Sequence, residues 1–206
     1  MNILDLFCGA GGAAMGYHRA FPDAQIVGVD INPQPDYPFQ FIQGDALVPP
    51  VDLDAFDLIH ASPPCQHFTR YRNVHKDITD RYEDLLQDTR KMLVGKVYVI
   101  ENVPGAPLTP DVELCGSMFG LDVRRHRWFE LSGFEVPLVP PHNHLLPRRF
   151  KSSTGRVNLR RTIEVGAWDE PIALQQDAMG MLWVTDVRML SEAIPPAYTE
   201  YIASWL

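Results

Sequence analysis

The sequence predicts an α/β fold, a parallel sheet flanked by helices, and three observations carry that prediction. Short apolar runs alternate with stretches of helical spacing through the first half of the chain, the order that lays parallel strands side by side with helices across their faces. A glycine-rich turn at residues 8–12 separates the first such run from the first helical stretch. Acidic residues then follow the second and third runs, as Asp30 and Asp45, at the strand ends where such sheets bind their ligands.

In chain order, residues 3–7 read as the first strand, and residues 13–20 as a helix that Pro22 stops. Residues 25–30 form the second strand, and residues 39–43 a weaker third, entered after the proline-rich stretch 32–38. Residues 56–61 are the fourth, halted by Pro63-Pro64. Tyr82, Leu85, Leu86, Thr89, Met92 and Leu93 recur at helical spacing, with Gly95 as the stop, and residues 96–101 make a fifth strand. The second half is less regular. One strand centres on residues 128–131, while residues 132–170 are rich in Pro, His and Arg with weak periodicity. Residues 178–206 read as helical in two pieces broken at Pro195-Pro196.

At 206 residues the chain suits one compact domain with at most a small appendage. Its 46% hydrophobic and 21% charged residues are ordinary for a soluble globular protein. No apolar run approaches the ~18–20 residues that span a bilayer. The start lacks a basic segment followed by a cleavable apolar stretch, so a cytoplasmic, intracellular location is expected. The three cysteines, Cys8, Cys65 and Cys115, include no CxxC pair, and no metal is expected. The net charge of −8 is unevenly spread. Residues 1–120 hold 8 basic against 16 acidic side chains, residues 121–165 hold 9 against 4, and the remainder 1 against 6. The basic stretch is where a polyanion would dock.

Four segments carry the chemistry. Asp5-Leu6-Phe7-Cys8-Gly9-Ala10-Gly11-Gly12 ends a strand and opens a helix, and its glycines let the backbone approach a ligand. Asp30 stands where a carboxylate accepts from ribose hydroxyls, and Asp45 where one accepts from an adenine amino group, so an adenosine-bearing cofactor is expected. Ser62-Pro63-Pro64-Cys65-Gln66 follows the fourth strand, which puts the thiol at the carboxyl edge of the sheet on a loop stiffened by prolines. Behind it Phe68, Thr69, Arg70, Tyr71, Arg72, His75 and Lys76 make a basic, aromatic stretch suited to gripping phosphates. Glu101-Asn102-Val103 ends the fifth strand on the same edge, where a buried carboxyl is a proton-donor candidate. In Arg125-His126-Arg127, alternation on an extended segment turns both arginines to one side.

These segments resemble the DNA cytosine-5 methyltransferases. Phe7-Cys8-Gly9-Ala10-Gly11-Gly12 is similar to that family's cofactor motif, Pro64-Cys65-Gln66 to its nucleophile motif, Glu101-Asn102-Val103 to its catalytic acid motif, and Arg125-His126-Arg127 to its arginine pair, all in the usual order. Ala193-Ile194-Pro195-Pro196 resembles the last motif, whose helix returns to complete the cofactor pocket. Val123 stands where the family has a glutamine, and Ser191-Glu192 where it has Gly-Asn. The resemblance implies a Rossmann-like class I fold dependent on S-adenosyl-L-methionine. Residues 1–131 plus 171–206 would form the catalytic domain, and residues 132–170 a reduced, mostly irregular recognition insert. The implied catalytic residues are Cys65, Glu101, Arg125 and Arg127. The implied cofactor contacts are Phe7, Gly9, Gly11, Gly12, Asp30, Ile31, Asp45, Ala46 and Pro63. The implied grip on duplex DNA with a flipped cytosine falls to Gln66, Arg70, Arg72, Lys76, Arg148, Arg149, Lys151 and Arg156.

Other readings share parts of this pattern. Amino-methyltransferases carry Ser/Asp-Pro-Pro followed by an aromatic, where this chain has Cys65. The short insert leaves RNA or a free nucleotide open as substrate for the same chemistry. A silent accessory protein that binds DNA or cofactor would have no need of the Cys65 and Glu101 set.

Overall fold

The computed structural model describes residues 1–65, 68, 84–142, 144, 150–151, 157–158 and 162–206, with the backbone alone at 150–151 and 157–158. The first half folds as β1 (Asn2–Leu6), α1 (Gly12–Ala20), β2 (Gln25–Asp30), β3 (Gln40–Gln43), β4 (Leu58–Ala61), α2 (Leu86–Met92) and β5 (Tyr98–Asn102). The second half adds β6 (Val112–Leu114), β7 (Arg127–Ser132), the short strands β8 (Phe150–Lys151) and β9 (Val157–Asn158), then α3 (Ile172–Met179), α4 (Val187–Glu192) and α5 (Pro196–Ala203). A seven-stranded sheet runs in the order β3-β2-β1-β4-β5-β7-β6. Neighbours from β3 to β5 are parallel, while β7 is antiparallel to both β5 and β6. This is the Rossmann-like α/β arrangement expected of the sequence. The strand order reverses between β1 and β4, and the crevice outside their carboxyl ends is the switch point where such sheets take ligands.

Burial on both faces explains the strand composition. Ile3, Leu58, Val99 and Phe129 face one side, where α1 and α5 cover them with Tyr17, Tyr198 and Ile202. Leu4, Leu6, Ile59, Ala61 and Ile100 face the other, against Leu86 and Leu93. A third cluster joins Ala10 and Val123 to Ile163, Met179, Met181, Val184 and Leu190, so the chain leaving residues 132–170 already packs on the body at Ile163.

The tightest helix contact is α1 on α5. A β-carbon on Gly16 would lie 2.0 Å from Thr199 Oγ1 and 2.1 Å from the Pro196 carbonyl oxygen, and one on Gly12 would lie 2.1 Å from the Ile194 carbonyl oxygen. Thr199 Oγ1 donates to the Ala13 carbonyl at 2.8 Å, which closes the pair.

Several boundaries differ from expectation for local reasons. The fourth strand starts at Leu58, because Leu53–Ala55 form a 3-10 turn capped by Asp52, which accepts from the Asp54 N–H at 3.0 Å. Helix α2 starts at Leu86, where Asp84 accepts from the Leu86 N–H at 3.0 Å; residues 82–83 lie outside the described residues. Within residues 178–206 the two expected helical pieces are α4 and α5, parted just before Pro196, and α3 is a further helix ahead of them. Gly180, at φ +67°, ends α3, and Asp186 caps α4 by accepting from the Arg188 N–H at 2.8 Å. Strand β6 is unannounced in the sequence: with three residues, only Val112 and Leu114 turn inward, too few to show a period.

Candidate active site

The register of the sheet assembles one row of side chains. Leu6 pairs with Val29 and with Ala61, and Ala61 pairs with Ile100. The residues that follow each partner, Phe7, Asp30, Ser62 and Glu101, therefore share the carboxyl edge. Strand β7 runs the other way, with Trp128 opposite Asn102. Its beginning thus meets the end of β5, and the arginine segment that precedes it arrives at the same edge.

The glycine loop turns sharply beside Asp30. Phe7 is the one described non-glycine residue with positive φ, at 54°, and Gly9 and Gly11 follow at 47° and 79°. Gly9 donates its N–H to Asp30 Oδ2 at 3.1 Å, and Asn32 donates to Oδ1 at 2.9 Å, so the carboxylate is held in one orientation by two backbone amides. No atom lies within 4 Å of where a Gly9 β-carbon would be, which leaves the loop backbone bare to a ligand. Ile31 is exposed and Ala46 buried. Asp45 is exposed and accepts from the Leu47 N–H at 2.9 Å. A bare glycine turn with an oriented carboxylate on one side and a second acid one strand further out fits the adenosine half of S-adenosylmethionine. Trp183 closes the far side of the loop, donating to the Ala10 carbonyl at 3.0 Å.

Cys65 is half-buried in the proline-stiffened segment that leaves β4. Burial pushes its thiol up, while Arg127 and Arg125 pull it down and Glu101 pushes it further up. Asn102 anchors this loop: its Nδ2 donates to the buried Pro63 carbonyl at 2.9 Å, and its Oδ1 accepts from the Val103 N–H at 2.9 Å. Glu101 is buried and paired with Arg127, Nε to Oε1 at 2.8 Å. Burial raises its carboxyl, and the Arg127 charge and a hydrogen bond from Ser62 oppose that rise. Arg125 is half-buried and donates to the Ser191 carbonyl, while its own carbonyl accepts from Tyr198 at 2.5 Å. A cleft of about 300 Å³ opens beside it, lined by Val123, Arg124, Thr162 and Glu164 among others.

A buried polar chain runs inward from Glu101. Ser62 Oγ meets His60 Nε2 at 2.9 Å, and His60 Nδ1 meets the Tyr17 hydroxyl at 2.9 Å. Burial lowers His60 to about 3, so the ring is neutral at neutral pH, with one donor and one acceptor nitrogen. An ionised Glu101 only accepts, which fixes the sense of the chain: Tyr17 donates to His60, His60 to Ser62, and Ser62 to Glu101.

Residues 1–111 match the family model described as C-5 cytosine-specific DNA methylase. The chain belongs to that family. S-adenosylmethionine is accordingly its methyl donor. The fold is similar to that of the Entamoeba histolytica methyltransferase EhMeth, with TM-score 0.58 and 14% identity over 98% of this chain and 96% of that one. Smaller likenesses are to the YcgJ protein of Bacillus subtilis (TM-score 0.31, 20% identity, 50% and 44% of the two chains) and to geranyl diphosphate C-methyltransferase of Streptomyces coelicolor A3(2) (0.33, 20%, 49% and 38%). No curated protein matches the chain. Among the described residues, no helix is long and apolar enough to cross a membrane.

In this member of the C-5 cytosine-specific DNA methylase family, the structure brings Cys65, Glu101, Arg125 and Arg127 to one edge, and Phe7, Gly9, Gly11, Gly12, Asp30 and Pro63 beside them. Gln66, Arg70, Arg72, Lys76, Arg148, Arg149 and Arg156 lie outside the described residues, and only the backbone of Lys151 is described. The departure at Val123 has a structural account: the side chain is buried in the third apolar cluster, where a glutamine amide would be enclosed. At Ser191 the site uses the backbone carbonyl, which accepts from Arg125 whatever the side chain.

Sequence reasoning passes over Asn102, Ser62 and His60 as individual residues. A histidine inside the otherwise apolar run 58–61 was the available signal for His60. It also misses a group of metal-ligating type. Against the expectation of no metal, Cys115, His126, His142 and His144 converge at the outer end of this edge. Only His142 and His144 are close in sequence, and Cys115 and His126 join them through the pairing of β6 with β7, so no spacing motif announces the set.

Proposed function

We propose that the protein methylates carbon 5 of cytosine in DNA through a covalent adduct between Cys65 and carbon 6 of the ring. The observation that carries this reading is the buried Arg127–Glu101 pair at 2.8 Å, set on the edge that also bears Cys65. Carbon 5 of cytosine is too weak a nucleophile to accept a methyl group unaided. Addition of the Cys65 thiolate to carbon 6 forms a C–S bond and moves the ring's electron pair toward carbon 5 and N3. Glu101, held by Arg127 and Ser62, faces N3 and shares or donates the proton that stabilises the charge there. Bound S-adenosylmethionine supplies the electrophilic methyl group. A base then removes the carbon-5 proton, the ring pair reforms, and Cys65 leaves as thiolate. Arg125 and Arg127 lower the cost of that thiolate, which burial alone would penalise.

Phe7, Gly9, Gly11, Gly12, Asp30, Ile31, Asp45, Ala46 and Pro63 line the cofactor side. Gln66, Arg70, Arg72, Lys76, Arg148, Arg149, Lys151 and Arg156 grip the strand around a flipped cytosine, at an unstacking cost of a few kcal/mol. Residues 132–170 form the reduced recognition insert on a catalytic domain of 1–131 and 171–206.

The test is trapping with 5-fluorocytosine, whose fluorine cannot leave as a proton does. Duplex DNA carrying it should become covalently attached in the presence of S-adenosylmethionine, and Cys65→Ala should abolish the adduct. An adduct with fluorinated tRNA or free nucleotide but none with DNA would keep the chemistry and change the substrate. No adduct with any of the three overturns the mechanism.

A further inference from the structure

The four side chains at the outer end of the sheet edge ask for an explanation of their own. Cys115, His126, His142 and His144 each offer one ligating atom, and these atoms lie within 4.8 Å of one another. We propose that they hold a single divalent transition-metal ion, zinc by preference, in a closed structural site that ties the start of the insert to the arginine segment.

The distances carry the proposal. His126 Nε2 and His142 Nε2 are 3.1 Å apart, His142 Nε2 and His144 Nε2 are 2.7 Å apart, and Cys115 Sγ is 3.4 Å from His144 Nε2. Zinc–nitrogen bonds of ~2.0–2.1 Å imply tetrahedron edges of about 3.3–3.4 Å, so the 3.1 Å contact opens by about 0.2–0.3 Å and the 2.7 Å contact by about 0.6–0.7 Å when the ion enters. Hydrogen bonding does not account for the set. His142 Nε2 makes both nitrogen contacts, yet an imidazole nitrogen has one N–H or one in-plane lone pair and so makes one good hydrogen bond, not two. A cation at the common centre takes every lone pair at once. One thiolate and three imidazoles in tetrahedral order are a ligand set that suits zinc.

The fold delivers the ligands for separate reasons. Leu114 pairs with Arg127, so Cys115, leaving β6, and His126, entering β7, come side by side. His142 and His144 are two apart in sequence, and their Nε2 atoms come within 2.7 Å of each other. Outer contacts support the ligands: Ser117 Oγ donates to Cys115 Sγ at 3.4 Å, and Arg124 donates to the His144 carbonyl. Glu113 Oε1 stands 3.8 Å from His126 Nε2, but its other oxygen accepts from Trp128 Nε1 at 2.8 Å, which turns the carboxylate outward. With four protein ligands no position stays open for a substrate, so the ion is structural. Binding releases the Cys115 proton to solvent as the thiol becomes a ligand. His126 lies between Arg125 and Arg127, so the ion fixes the segment that presents both.

The test uses the full chain purified without chelator and then titrated with zinc. Elemental analysis should give about one zinc per chain. X-ray absorption should show one sulfur at ~2.3 Å and three nitrogens at ~2.0–2.1 Å. The double variant His142→Asn/His144→Asn changes outer, less buried ligands and should drop zinc at least tenfold while its circular dichroism stays that of the parent. Cys65→Ala should keep the metal. Less than half an equivalent after titration, or a full equivalent retained by the folded double variant, overturns the proposal.

Discussion

Cys65 stands between opposing influences, and its titration reports them one at a time. Burial and Glu101 push the thiol up, and Arg127 and Arg125 pull it down. Its alkylation rate should therefore rise with pH to a midpoint above the ~8.5 of a free cysteine. Arg127→Gln removes a lowering charge and should move the midpoint higher. Glu101→Gln removes a raising charge and should move it lower. Peptide mapping of iodoacetamide adducts separates Cys65 from the buried Cys8 and Cys115, and a midpoint unmoved by either variant would disconnect the three groups. At this scale the sequence makes legible the groups with unusual neighbours, such as a thiol after two prolines and an acid at a strand end. It hides groups whose meaning lies in partners elsewhere in the chain. Asn102 matters because Pro63, 39 positions away, presents a carbonyl to it, and His60 because Tyr17 reaches its other nitrogen.

Helix α1 and helix α5 meet where two glycines leave no room, and here local propensity and packing disagree in sign. Alanine in place of a helix-interior glycine ordinarily stabilises by about 0.5–1 kcal/mol. At Gly16 the new β-carbon would enter the Thr199 hydroxyl and the Pro196 backbone. Gly16→Ala should therefore destabilise by roughly 1–3 kcal/mol, and thermal unfolding should fall by about 2–4 °C per kcal/mol. A rise in melting temperature would show that α5 yields. Elements such as α1 and β2 are read from sequence nearly to the residue, because α1 runs between a glycine turn and Pro22 and β2 is an apolar run buried on both faces and closed by Asp30. The short ones are not. Strand β6 and the break between α3 and α4 depend on pairing with β7 and on Gly180 adopting a left-handed turn, and neither leaves a pattern along the chain.

At the level of the whole molecule, stability carries the cost of an acid buried under the first helix. Asp5 is 1% exposed, and burial raises its carboxyl well above the ordinary value, against the lowering effect of the Tyr37 hydroxyl. The sign follows from linkage. The folded state binds the proton more tightly than the unfolded chain, so no penalty exists below pH ~4, and it grows as pH climbs toward the folded-state value. Asp5→Asn should raise the melting temperature at neutral pH, and the difference should close as pH falls to about 4. A constant offset across that range would assign the effect to packing. The layered fold and its switch-point crevice are legible in the alternation of apolar runs, whereas the gathering of Cys115, His126, His142 and His144 exists only once the sheet has formed. The α1–α5 seam has a consequence for biosynthesis. Thr199, which closes the seam on Ala13, follows it by 186 positions. A nascent chain therefore carries the apolar inner face of α1 uncovered while the whole sheet between the two helices is translated.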